Sequence, residues 1–293
     1  MIDYDPHNWR RALIGIHGTR FTVIALRAAV VTLGATIITA VHEYVTPMSV
    51  PGATTIHGIL SVALGLLLVF RTNQSYDRWW EGRKLWGAMV NTCRNLARSA
   101  SVHLAKEPQL LAKLVALDAA FPEASMFSLR GQAWEPKGVD PEDAAALRGK
   151  KHSVTALAQR MTVHLKAARD AGAISDYVLA MLEHDVHQLI DIIGACERIH
   201  KTPLPFAYVV HLRRSLVAYL ATLPFAMLSS FGWATIPIVF AASYVLLGIE
   251  EIGVEIEDPF EGDLNDLPLE AITATIQSNV AEYAPPAVSG TRT

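Results

Sequence analysis

Hydrophobic positions along this chain gather into long runs set apart by polar stretches. Residues 21–41 are predominantly apolar and carry one charge, Arg27 near the start. A second run, 54–70, ends abruptly: residues 58–70 carry no charge, and Arg71-Thr72-Asn73-Gln74-Ser75-Tyr76-Asp77-Arg78-Trp79-Trp80-Glu81-Gly82-Arg83-Lys84 follows at once. Residues 215–249 are uncharged; as one helix they would measure about 50 Å, too long for a hydrocarbon core of about 30 Å. They are therefore read as two spans, 206–227 and 233–249, divided at the turn-forming Ser229-Ser230-Phe231-Gly232. Pro224 and Pro237 are tolerated where neighbouring helices satisfy the freed carbonyls. Arg27 lies close enough to its helix end to snorkel toward water.

Between these runs the period changes. Leu85, Met89, Leu96 and Leu104, and later Leu179, Leu182, Val186, Leu189, Ile190 and Ile193, recur at three- and four-residue steps, the mark of amphipathic helices. Breaks are expected at Phe121-Pro122, at Glu135-Pro136-Lys137-Gly138 and at Asp140-Pro141-Glu142, the last a helix start with Pro in its first turn. One Lys- and Arg-bearing helix then runs to Ala171-Gly172. Strand alternation is absent. The fold class is an all-α membrane protein of four transmembrane helices with a large cytoplasmic helical domain at 71–205, an acidic segment at 250–283 and a disordered tail at 284–293. No fixed-period repeat is present, which argues against the inverted halves of many transporters.

Charge placement orients the spans. Residues 41–56 and the turn near Ser229 lack Lys and Arg, whereas Arg10, Arg11, Arg20, Arg71, Arg78, Arg83, Lys84, Arg213 and Arg214 sit at the opposite ends. The positive-inside rule puts both termini, including residues 1–20, and the middle domain in the cytoplasm of a multi-pass protein of a bacterial inner membrane. Trp79, Trp80 and Trp86 suit the membrane–cytosol junction. Composition agrees: 51% of residues are hydrophobic and 18% charged, against about 25% charged in soluble domains. A net charge of −3 gives no reason to expect nucleic acid. Cys93 and Cys196 read as reduced packing thiols, and residues 1–20 show no cleavable signal.

Candidate chemistry is sparse. No Walker lysine loop, nucleophile elbow or HExxH occurs, and no enzyme activity or cofactor is expected. Glu183-His184-Asp185-Val186-His187, with Asp191 a turn on, could hold a metal through His184 and His187; the plainer reading is a polar stripe on an amphipathic helix. Glu250, Glu251, Glu255, Glu257, Asp258, Glu261, Asp263 and Asp266 form an acidic tract after the fourth span. Within it Glu257, Asp258, Glu261, Asp263 and Asp266 could concentrate cations at a pore mouth or simply be solvated; calcium is not expected, since no EF-hand spacing is present. Val62, Leu66 and Phe70 stand at i, i+4 and i+8, near one helix face. Gly58, Ser61 and Gly65 let that helix approach neighbours closely.

Phe70-Arg71-Thr72-Asn73-Gln74 with Tyr76-Asp77-Arg78-Trp79-Trp80-Glu81-Gly82-Arg83 resembles the bacterial branch of the bestrophin family. So do Cys196-Glu197-Arg198-Ile199, Pro203-Leu204-Pro205-Phe206-Ala207-Tyr208 and Asp258-Pro259-Phe260, in the same order over about residues 20–270. The resemblance implies a homopentameric ion channel embedded in lipid, with Val62, Leu66 and Phe70 forming an apolar neck and a second constriction at Tyr177, Val178 or Met181. It also implies monovalent cations, sodium foremost, since bacterial members resemble cation channels and the acidic mouth agrees. Pro259-Phe260-Glu261-Gly262-Asp263-Leu264-Asn265-Asp266 departs from the near-continuous carboxylate run of the animal calcium clasp. The alternatives are an anion (chloride) channel of the same architecture, a non-conducting membrane scaffold, and a metal enzyme built on His184 and His187.

Overall fold

Helices form wherever the apolar period is three to four residues, and the computed structural model, which describes residues 20–286, contains no strand within them. The all-helical class expected from the sequence holds. In chain order the helices are α1 (Phe21–Tyr44), α2 (Ala53–His103), α3 (Pro108–Leu129), α4 (Pro141–Leu147), α5 (Ser153–Asp170), α6 (Asp176–Lys201), α7 (Phe206–Phe231), α8 (Thr235–Glu255) and α9 (Leu269–Ala281). A 3-10 turn, Gly232–Ala234, joins α7 to α8. The expected segment before residue 20 and the end of the expected tail, from residue 287, lie outside the described residues.

The chain divides into two units. Among the described residues, the first holds 20–79 together with Pro203–Asp258, and the second holds Trp80–Thr202 and 259–286. In the first, Phe21–Tyr44, Ala53–His103 and Phe206–Glu255 each contain an apolar window long enough to cross a membrane, the third comprising α7 and α8. Only 17%, 22% and 17% of these windows are buried. A water-soluble domain would hide such surface; a protein that leaves it outward is built for an apolar solvent. What is buried is a narrow seam: Leu212, Leu216, Leu220 and Leu223 on one face of α7 meet Leu64 and Leu68 of α2, Ala35 of α1 and Val239 of α8. His57 fixes the upper part of this seam, its Nε2 3.0 Å from the Thr222 hydroxyl and its ring against Tyr219. Gly232 ends α7 at φ +49°, a backbone conformation that a side chain would strain.

In the second unit α3 packs against α5 and α9, and α6 against α5. Phe121, Leu157, Met161, Leu165, Leu182, Leu189 and Ile276 are fully enclosed. Two expected breaks differ. Helix α3 runs through Phe121-Pro122 to Leu129 because Phe121, Pro122 and Ala124 are all buried; tertiary packing outweighs the lost backbone bond, a cost of about 3 kcal/mol. The helix expected to run unbroken from Pro141 instead stops at Leu147, since Gly149 adopts φ +73°, and restarts at Ser153. Its short first part is held by Asp143, whose carboxylate accepts from Arg160 (2.5 Å) and meets His164 (2.9 Å). Burial would raise the Asp143 carboxyl, but the His164 and Arg160 bonds outweigh it and hold the group below its ordinary range.

One close approach in this unit requires glycine. A Cβ on Gly82 of α2 would lie 3.0 Å from the Pro259 ring and 3.1 Å from the buried Phe260 ring. Gly82→Ala should therefore destabilise the protein by about 1–3 kcal/mol. Gly194→Ala on α6, where an added Cβ meets nothing within 4 Å, should stabilise it by a few tenths up to about 1 kcal/mol. Thermal unfolding of the two variants in detergent tests this; a Gly82→Ala melting temperature at or above wild type would contradict it.

Candidate pore-lining helix and its charged ends

Helix α2 enters the first unit with one narrow buried stripe. His57, Leu64, Leu68, Arg71 and Ser75, at steps of seven, four, three and four, are enclosed and turn toward the α7 and α8 seam. Most of the remaining circumference is open. Val62 is 74% exposed, Leu66 55% and Phe70 51%, an aliphatic-to-aromatic line that continues into exposed Asn73, Gln74 and Asp77. Gly58 and Gly65 lie on the same open side, where added Cβ atoms would touch nothing. A thirteen-residue apolar surface on one helix, backed by a packed seam, is suited to meet further hydrophobic surface or to border a narrow conduit.

The lower end of this stretch is fixed by ions. The Arg71 guanidinium is 1% exposed and donates from Nη2 to Glu257 Oε2 at 2.7 Å. Its stem presses on Gly253, where a Cβ would come within 3.2 Å of Arg71 Cγ, and its Nε and Nη1 are buried without hydrogen-bond partners. Glu257 also accepts the Leu204 N–H at 2.9 Å, and its carbonyl accepts from Arg78 Nε at 2.8 Å. The Tyr208 hydroxyl donates to the Leu67 carbonyl. Burial would raise the Glu257 carboxyl, yet the Leu204 N–H and the Arg71 guanidinium hold it below the usual range.

Two further carboxylates are matched in the same way. Arg27, half exposed, donates from Nη1 to Glu251 at 2.6 Å, with Arg20 Nε 3.9 Å from the other oxygen of that carboxylate. Arg213 Nε donates to Glu250 at 2.8 Å. Sequence reasoning missed all three pairings. The available signal was a lone arginine inside or beside an apolar run, which demands a carboxylate partner.

The other candidate residues fall as follows. Glu257 and Asp258 belong to the first unit and Glu261, Asp263 and Asp266 to the second. Asp266 is buried and caps its own loop, accepting from the Gly262 and Asp263 N–H groups at 2.8 and 2.7 Å, while Glu261 and Asp263 are exposed. On the first turns of α6, which Ser175 caps, Tyr177 is exposed and Val178 and Met181 are half-buried. His184 and His187 are exposed, the first beside Gln188 and the second 3.7 Å from Glu183. Among the described residues no three His, Cys, Asp or Glu side chains come together closely enough to hold an ion.

Over residues 1–282 the chain matches the family described as Bacterial/Fungal Bestrophin protein. A voltage-dependent anion channel-forming protein of Synechocystis is 38% identical over 285 residues, covering 94% of this chain and 92% of that protein. A protein of the same description from Nostoc is 36% identical, covering 93% and 91%. A bacterial bestrophin homologue from Klebsiella pneumoniae superposes with a TM-score of 0.81 at 26% identity, covering 90% of this chain and 98% of its own. These relatives correct the expectation of a monovalent cation channel selective for sodium: their descriptions name the opposite ion. Of the residues expected to concentrate cations, Glu257 is spent on Arg71 and adds little negative field.

The Arg71–Glu257 junction yields a test. Glu257→Ala leaves a buried guanidinium unpaired and should cost about 3–5 kcal/mol, whereas Arg71→Leu combined with Glu257→Leu should recover most of that loss. Because the Glu257 carboxyl is depressed, its stabilisation is complete above about pH 4.3 and fades as pH falls through the lower folded value. Melting curves of wild type, single and double variants from pH 3 to 7 should show the double variant losing that acid-side decline; a double variant no more stable than Glu257→Ala refutes the assignment.

Proposed function

Since the chain belongs to the bestrophin family, we propose that it assembles as a homopentamer in a membrane and conducts anions, chloride foremost, through a central pore bordered by α2. The supporting observation is the anion-channel description of relatives 38% and 36% identical across more than nine-tenths of both chains. The geometry is compatible on two counts. Helix α2 leaves the Val62, Leu66 and Phe70 line open, and the acids at the ends of the spans are spent on arginines rather than left to attract cations.

In this reading five copies bring Val62, Leu66 and Phe70 around one axis as three stacked apolar rings. Water leaves so narrow and greasy a conduit readily, and the pore closes by dewetting. Both termini and the second unit lie on the cytoplasmic side of an inner membrane, and Tyr177, Val178 and Met181 supply the residue of a second narrowing. The reading calls for no cofactor and no calcium.

In planar bilayers under a sodium chloride gradient, currents should reverse near the chloride equilibrium potential. Reversal near the sodium potential, or the absence of current from purified, assembled protein, overturns the proposal. Replacing Val62, Leu66 and Phe70 together by Ala should widen and wet the neck, raising conductance or leaving the channel constitutively open; wild-type currents from that variant would remove those residues from the pore.

A further inference from the structure

One imidazole lies inside the helix seam of the first unit. His57 is 8% exposed and sits one turn from the start of α2 at Ala53, roughly 6 Å along the axis; Val62 of the proposed neck lies about 7.5 Å further on. Ionisable neighbours are few. Residues 28–41 of α1 carry none, residues 58–70 of α2 none, and residues 235–249 of α8 only Tyr244, which meets Phe21 at the opposite end of α1. On α7 the ionisable residues lie between 208 and 214, toward its far end, apart from Tyr219. Tyr219 is thus the titratable group that faces His57, its ring 5.2 Å away. At the same end of the unit His42 accepts the Met48 N–H, and Glu43 lies near Gly232.

The hydrogen bonds around this ring serve either charge state. Nδ1 is 3.0 Å from the Ala53 carbonyl oxygen, which can only accept, so Nδ1 carries a hydrogen. Nε2 is 3.0 Å from the Thr222 hydroxyl oxygen, and that oxygen lies 2.7 Å from the Ala218 carbonyl. A hydroxyl has one hydrogen and can turn it to either neighbour. With a neutral ring it donates to Nε2. When Nε2 gains a proton, the ring donates to the Thr222 oxygen and the hydroxyl hydrogen turns to Ala218. Charging the enclosed ring therefore leaves no N–H without an acceptor. We propose that His57 takes up a proton from the outer side and, as an imidazolium behind the outer end of the neck, raises the concentration of permeant anions there. The inference rests on the anion-channel reading given above. Imidazole titrates between about pH 5 and 8, and an enclosed charge is screened little by salt, so the rings of all protomers act together on one conduit.

Planar-bilayer recordings in chloride, with the pH of each side varied in turn, test it. Wild-type conductance should rise roughly two- to tenfold as the outer side passes from about pH 8 to about pH 5. His57→Gln should abolish that dependence, and so should Thr222→Val, which leaves the protonated Nε2 without an acceptor; Thr222→Ser and His42→Gln should keep it. If the ring were only a strut, His57→Gln would lower the melting temperature or the current alike at every pH and the dependence would survive. Wild-type currents that ignore pH overturn the inference and need no variant to fold, as does a response that persists in His57→Gln or vanishes in His42→Gln. Ring-nitrogen NMR of histidine-labelled wild type, with His57→Gln to assign the signal, follows the same ring without ion flux: Nδ1 should stay protonated while Nε2 gains hydrogen on acidification, and an unchanging ring overturns the inference. The two measurements separate the readings: a titrating ring without current removes the channel and leaves the proton site, and chloride current with an unchanging ring does the reverse.

Discussion

Charges at the ends of apolar helices have to be neutralised in pairs, and this requirement organises the first unit. A lone charged side chain in a membrane helix costs about 2.5–3.5 kcal/mol on insertion scales. Here three arginines from three different helices, Arg27 on α1, Arg71 on α2 and Arg213 on α7, all find carboxylates on α8 or just beyond it: Glu251, Glu257 and Glu250. The C-terminal end of α8 is thus the common anchor for the rest of the unit. The aliphatic seam holds the helices side by side, while the ion pairs set their axial positions, which apolar packing alone specifies weakly.

This division of labour explains how α2 can leave so much of itself uncovered. Its enclosed stripe, His57 to Ser75, is narrow, but it ends in a guanidinium gripped by Glu257 and pressed on Gly253. A helix fixed in register by one edge can present the other as a flat, apolar surface without drifting. Helices α1 and α7 show the complementary case: small residues at Gly34 and Ala221 hollow the surface between them instead of closing it.

The all-helical class and the family were legible in the sequence because both signals are local: a three-to-four-residue apolar period, and one long motif from Phe70 to Arg83. Spacing alone also puts Val62, Leu66 and Phe70 near one helix face. Which face stays open follows only from the packing of Leu64, Leu68 and Arg71. Arg27 and Glu251 lie 224 positions apart, so no local pattern links them, and a carboxylate whose partner is unseen counts as free charge. The cation expectation came chiefly from the resemblance, and the acidic tract agreed with it partly because Glu257, which is spent on Arg71, was counted as free charge. The continuous helix through Phe121-Pro122 was hidden for a related reason: proline's local tendency to break a helix yields to enclosure by residues distant in sequence.

Both sulfhydryls of this chain are sealed away. Cys93 and Cys196 are enclosed in the second unit, and burial pushes the Cys93 thiol well up and that of Cys196 to about 12. Alkylating and spin-labelling reagents attack the exposed thiolate, so the native protein is silent to them. It therefore serves as its own blank background, and a single reporter group attached along the open side of α2 can be followed without first stripping the wild-type chain of reactive sites.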